Sequence, residues 1–153
     1  MVRLKLTDRE WFAEIADEVL QAIEKVAEES YPNEGGGFLF GRYEGQTVYV
    51  MYMEKPIKYR ATRYSYERDV DKDQFERIQK EHQVHYVGEW HSHTNGKSQY
   101  SSRDIRSMAE IAEHETTGIV TPLLLIAAAS KSGANGYTMY LYENKKIMRY
   151  EQS

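Results

Sequence analysis

Three observations predict an α/β (α+β) fold, a mixed β-sheet flanked by helices. Residues from Thr7 to about Glu29 carry apolar side chains at helical spacing. Pro122 to Ala129 is an uninterrupted apolar run, as in a strand buried on both faces. Further strand-like segments, bounded by turn signals, lie on either side of two more helical patterns.

In chain order, Val2 to Leu6 reads as a short strand. Thr7 is the expected N-cap of the first helix, with Glu10 completing a capping box. That helix places Phe12, Ile15, Ala16, Val19, Leu20, Ile23, Val26 and Ala27 on its core side, and Pro32 ends it. Phe38 to Tyr43, a Glu44-Gly45 turn and Thr47 to Met53 form a hairpin. A third strand is expected over about Ala61 to Tyr66 and a second helix from Asp71 to about Glu81. His85 to His93 reads as a strand. The third helix runs from about Ser102 to His114, with Ile105, Met108, Ile111 and Ala112 inward. Leu123 to Ala128 is a strand, Gly133 to Gly136 turns, and Tyr137 to Tyr142 pairs with Ile147 to Glu151.

With 153 residues, 41% hydrophobic and 29% charged, the chain is expected to be one globular domain spanning 1–153. It has no cysteine, which excludes disulfides, cysteine nucleophiles and the cysteine-bearing zinc signature of nucleobase deaminases. That composition fits a reducing compartment, and a cytoplasmic location is expected. The first ten residues hold no apolar secretion core, and the Pro122–Ala129 run is too short to span a bilayer. A formal charge of −4 argues against general nucleic-acid binding. Against that, basic and aromatic residues interleave from Lys55 to Arg68. This stretch is read as an edge strand guarded by its charges, with base stacking or pairing to a peptide tail as alternatives.

The segment His91-Ser92-His93-Thr94-Asn95-Gly96-Lys97-Ser98-Gln99-Tyr100-Ser101-Ser102-Arg103-Asp104 holds the chemistry. On a strand, His91 and His93 point to the same face and can converge on one ion. Asn95-Gly96 signals a turn, and Asp104 falls in the first turn of the helix that follows, where it can supply a third ligand. Two imidazoles and one carboxylate suit zinc, and three protein ligands leave a position open for water. Ser101 to Asp104 also suits a plain helix N-cap with an acid three residues in. The two roles are compatible, because a carboxylate has two oxygens. His82 and His85 are expected to be surface residues rather than a second metal pair. His114 is expected to favour the C-terminal end of the helix dipole. Trp90, on the opposite strand face from the histidines, should pack under a helix.

Upstream lies Asn33-Glu34-Gly35-Gly36-Gly37-Phe38-Leu39-Phe40-Gly41. Together with the histidine segment it resembles the JAMM (JAB/MPN) metalloprotease family, whose pattern is a glutamate before G-x-L-x-G, then H-x-H, seven residues and S-x-x-D. Glu34, Gly37, Leu39, Gly41, His91, His93, Ser101 and Asp104 match every element. The resemblance implies a JAB/MPN-like domain with cytidine-deaminase-like layering and one catalytic Zn2+ held by His91, His93 and Asp104. It implies Glu34 as the general base that takes the attacking water's proton and delivers it to the leaving amine, and Ser101 as a residue that positions or stabilises the tetrahedral intermediate. Thr94 and Tyr100 stand where many members carry proline, so the intervening loop is expected to be less rigid.

The function this resemblance implies is a zinc isopeptidase or peptidase. It would cut after the C-terminal glycine of a ubiquitin-like or sulfur-carrier protein. Among relatives, the chain looks most like compact prokaryotic JAB peptidases. Those act beside homologues of ubiquitin-activating and ubiquitin-conjugating enzymes, including in antiphage systems. The alternatives are a non-catalytic MPN scaffold, or a zinc hydrolase of another small substrate or of nucleic acid.

Overall fold

In a computed structural model, residues 1–114 and 116–153 are described. The strands are β1 (Val2–Leu6), β2 (Phe12–Ile15), β3 (Gly36–Glu44), β4 (Thr47–Glu54), β5 (Tyr59–Ala61), β6 (Tyr66–Arg68), β7 (His85–His93), β8 (Leu123–Ser130), β9 (Gly133–Glu143) and β10 (Lys146–Gln152). The helices are α1 (Asp17–Ser30), α2 (Lys72–His82) and α3 (Ser102–Glu113). The expected mixed α/β architecture is present, with a further property. The main sheet closes into a barrel in the order β1-β10-β9-β8-β7-β3-β4-β2. Closure depends on β2, which pairs antiparallel with β1 and parallel with β4.

That strand corrects the reading of the first helix. Ala13 and Ile15 are fully enclosed while Phe12 and Glu14 are only partly so, the alternation of a strand. The segment lies between β1 and β4, where an extended backbone satisfies hydrogen bonds on both edges. Thr7 and Glu10 therefore cap nothing. The helix instead follows Ala16, which is extended at φ −62° and ψ 139°. Asp17 and Glu18 occupy its first turn, beside the positive end of the helix dipole. A second correction concerns Ala61 to Tyr66, which is not one strand. Thr62 to Ser65 turn the chain between β5 and β6, closed by a Thr62 N–H bond to the Ser65 carbonyl at 2.9 Å. β5 and β6 form a separate two-stranded hairpin, in line with the expected charged edge. In the third correction, β9 starts at Gly133, so the 133–136 segment extends the strand instead of turning.

Hydrophobic packing explains why the strands carry apolar residues on both faces. Along β8, Leu123, Leu125 and Ala127 join Val19, Ile23 and Ala27 of α1 in one cluster. Leu124 and Ile126 point the other way, into a cluster with Phe75 and Ile78 of α2 and Met108 and Ile111 of α3. β8 is thus buried on both sides, as its unbroken apolar run requires. Trp90 is fully buried in the α1 cluster, as expected. His82 stacks on Tyr52 at 4.0 Å between ring centroids and His85 is exposed, so neither joins a metal site. His114 follows the last turn of α3, where its Nδ1 accepts the Thr116 N–H at 3.1 Å. No helix among the described residues is long and apolar enough to cross a membrane.

β7 and β8 run parallel and unusually close at Gly88, where a Cβ would lie 2.2 Å from the Leu123 carbonyl oxygen. Gly88→Ala is expected to lower unfolding stability by about 1–3 kcal/mol, the range for overpacking a tight interior. Urea denaturation of the purified variant measures it, and an unchanged midpoint would contradict the packing described.

Candidate metal centre

The site is assembled from β3, β7, α3 and the β5–β6 hairpin. Alternation on β7 sends Glu89, His91 and His93 to the α3 side and Trp90 to the α1 side. β3 pairs antiparallel with β7 so that Gly36 faces His91. A Cβ on Gly36 would lie 2.4 Å from the Tyr66 ring, so glycine is what lets the β6 tyrosine lie over this strand. Just before β3, two hydrogen bonds tie the chain to β7. Gly35 N–H donates to Ser92 Oγ at 2.7 Å, and Ser92 N–H donates to the Gly35 carbonyl at 2.9 Å. Glu34 N–H donates to the Thr62 carbonyl of the hairpin turn at 2.8 Å. The backbone of Glu34 is thus fixed from both sides, and its side chain lines the same cleft as His91, His93, Ser101 and Asp104.

Asp104 is placed where both roles that the sequence left compatible meet. Its Oδ2 accepts the Ser101 N–H at 2.7 Å and the Ser101 hydroxyl at 3.0 Å, which secures the start of α3. Its Oδ1 lies 2.8 Å from His91 Nε2, and its Oδ2 lies 3.5 Å from His93 Nε2. One ligand atom from each of His91, His93 and Asp104 falls within 4.8 Å of the others. Among the described residues, this is the one cluster of three such side chains able to hold a metal. Two imidazole nitrogens and a carboxylate oxygen, converging in a partly open cleft, fit a catalytic zinc.

Electrostatics separates the two carboxylates. Burial raises the Glu34 carboxyl above its ordinary range; His91 and His93 oppose that but do not cancel it. Burial would also raise Asp104, but hydrogen bonds from His91 and His93 hold it far below the usual carboxylate range. Burial disfavours charge on His91, but the hydrogen bond to Asp104 and the charges of Asp104, Glu34 and Glu89 together outweigh it, so the ring is more basic than an ordinary histidine. Glu34 is therefore the acid of this pair that can take up and release a proton, and Asp104 the one that stays ionised.

Several fastenings had no sequence signal. Arg68 of β6 makes a two-point ion pair with Glu89 of β7 at 2.6 and 2.5 Å, and Tyr86 donates to Glu89 at 2.8 Å. Arg103 donates to the Tyr64 carbonyl at 2.6 Å. The Thr94 hydroxyl donates to the Arg63 carbonyl at 2.7 Å. These bonds hold the hairpin across the cleft. Contacts reach the 94–100 loop as well. Besides Thr94, the Tyr100 ring packs edge-on against Tyr140 at 5.2 Å, and Tyr140 donates to the Ser98 carbonyl at 3.0 Å. Polar and aromatic contacts stand in for the missing prolines.

Comparison with known proteins shows the family. Residues 16–142 match the family described as prokaryotic homologs of the JAB domain. A curated relative, the "CD-NTase/cGAS isopeptidase" of Enterobacter hormaechei subsp. hoffmannii (strain UCI 50), is 30% identical over 106 residues, 67% of this chain. The aligned segment spans 59% of that relative's length. A solution structure of a protein from Desulfitobacterium hafniense superposes with a TM-score of 0.65 at 17% identity, covering 92% of this chain and 90% of the other. A protein from Salinibacter ruber (strain DSM 13855) gives 0.57 at 18% identity, covering 92% and 88%. Those two likenesses concern the fold alone.

The Asp104–His91 pair has a consequence for the metal-free protein. The depressed Asp104 contributes stability above its ordinary value of 3.8, lost as pH falls towards its folded value. The raised His91 contributes below its ordinary value of 6.5, lost as pH rises through its folded value. After chelation, the melting-temperature advantage of wild type over Asp104→Asn should be greatest between those limits and shrink above neutrality. Adding zinc at pH 8 should restore it, because metal binding needs neutral imidazoles. Paired thermal melts across this range measure both trends; an advantage that grows as pH rises above neutrality in the metal-free protein would refute the pairing.

Proposed function

The chain belongs to the family of prokaryotic homologues of the JAB domain, and from that premise we propose that it is a zinc-dependent isopeptidase or peptidase. Its substrate is a ubiquitin-like or sulfur-carrier protein, cut after the C-terminal glycine. The observation that carries the reading is the arrival of Glu34, from before β3, in the cleft of His91, His93 and Asp104. A scaffold has no need of a buried, proton-accepting carboxylate beside a metal-ligand set. The printed name of the Enterobacter relative, an isopeptidase, supports the same reaction type.

In this mechanism His91, His93 and Asp104 hold the metal. When bound, zinc acts as a Lewis acid that polarises a carbonyl and acidifies a water. Glu34 takes the proton of the attacking water as its oxygen forms a bond to the scissile carbonyl carbon. The raised proton affinity of Glu34 lets it keep that proton until the carbon–nitrogen bond breaks, and then pass it to the amine nitrogen. Ser101 holds Asp104 in place and its hydroxyl lies in the same cleft, where it steadies the tetrahedral centre. A tail without side chains next to the cut bond suits a site beside the glycine-rich start of β3. We place the reaction in the cytoplasm, with homologues of activating and conjugating enzymes as partners, in the antiphage setting that the family resemblance implies.

Glu34→Gln should lower cleavage of a ubiquitin-like fusion by on the order of 10²–10⁴-fold while leaving zinc content unchanged. Equal rates in the two proteins would dispose of the assigned base. His91→Ala should instead abolish stoichiometric zinc uptake in elemental analysis. Wild-type protein that cannot be loaded with zinc would favour the scaffold alternative.

A further inference from the structure

We propose that the peptide received by this cleft carries acidic side chains close to the bond that is cut. The inference rests on the peptidase reading above and adds the chemical character of its substrate. The whole chain has a formal charge of −4, but the rim of the cleft is positive. Arg63, Lys97, Arg103 and Arg106 line it or its two open extensions. Among the described residues, none of the four makes an ion pair with a carboxylate.

The acids in the same region are already engaged. Glu89 is held by Arg68 and Glu67 by Arg60. Asp104 is held by the histidines and Ser101. Two remain: Glu34, the proposed base inside the cleft, and Glu110, at the outer end of the groove between the hairpin and α3. Four like charges without a carboxylate partner repel one another. Facing a concave site with low-dielectric walls, they attract an anionic partner and raise its rate of encounter. Arg103 is fixed by its bond to the Tyr64 carbonyl, so that one cation is oriented before any ligand arrives.

A polyanion of another kind, single-stranded nucleic acid, fits less well. It needs free aromatic faces on which bases stack. Here Tyr66 lies over Gly36 and stacks with Tyr59 at 5.8 Å, and Tyr100 packs edge-on against Tyr140 at 5.2 Å, which leaves Tyr64, 76% exposed, as the ring beside the cleft with no aromatic neighbour. An extended peptide needs no such platform.

The test reads binding apart from cleavage. Zinc-loaded Glu34→Gln protein is titrated, by fluorescence anisotropy, into three labelled probes. These are an acidic peptide ending in Gly-Gly, its counterpart with lysines in place of the acids, and oligodeoxythymidine. The acidic peptide should bind at least about tenfold more tightly than the basic one at low salt, with the gap closing as salt screens the charges. The triple change Arg63→Glu, Lys97→Glu and Arg106→Glu should reverse that order. Equal binding of the two peptides, preference for the basic one, or no binding to either overturns the proposal. Oligodeoxythymidine binding as tightly as the acidic peptide overturns it too, in favour of nucleic acid. Wild-type enzyme that shows the acidic preference but cleaves no ubiquitin-like fusion refutes the peptidase reading and leaves the acidic preference standing.

Discussion

The register between β3 and β7 is the constraint on which this site depends. With Gly36 opposite His91, Phe38 and Phe40 of β3 and Glu89, His91 and His93 of β7 share the face that α3 covers. A slip of one residue would turn His91 and His93 towards α1 and bring Trp90 to the cleft. The apolar cores on the two sides prevent that slip. Trp90 and Leu39 are enclosed on one side, and Phe38 and Phe40 on the other. Burial of side chains that never touch a substrate thus decides where the chemistry lies.

The same economy appears around Asp104. One carboxylate starts a helix, orients a histidine and completes a group of three side chains that could hold a metal. Placing it three residues after Ser101 gives it backbone support that a loop aspartate would lack. The β5–β6 hairpin does for Glu34 what α3 does for Asp104. Its turn accepts the Glu34 N–H, and the Arg68–Glu89 pair ties it to the histidine strand. Two carboxylates of similar intrinsic acidity are thereby driven apart, one kept ionised by imidazoles and the other made more basic by burial.

Much of this was legible in the residues. The H-x-H spacing on a strand announced a shared face, and the S-x-x-D spacing announced a capped helix start. The apolar run at Pro122–Ala129 marked a strand covered on both sides. What escaped was of two kinds. Phe12 to Ile15 fits a helical stripe and a strand alternation equally well, and only its neighbours β1 and β4 select the strand. Barrel closure was invisible for the same reason. The other kind involves partners distant in the chain or backbone atoms without identity, such as Arg68 with Glu89 and the Thr62 carbonyl with Glu34. The Ser92 hydroxyl that holds Gly35 could have been suspected, since a serine between two strand histidines must face away from them.

The most direct test of the central claim is zinc K-edge X-ray absorption on protein loaded with one equivalent of metal. The account predicts a four-coordinate shell of nitrogen and oxygen at about 2.0–2.2 Å with outer-shell scattering from two imidazoles. Loss of one light scatterer without loss of the imidazole signal is expected in Asp104→Ala. A six-oxygen shell, or an imidazole signal that survives replacement of His91 and His93, would contradict the centre described.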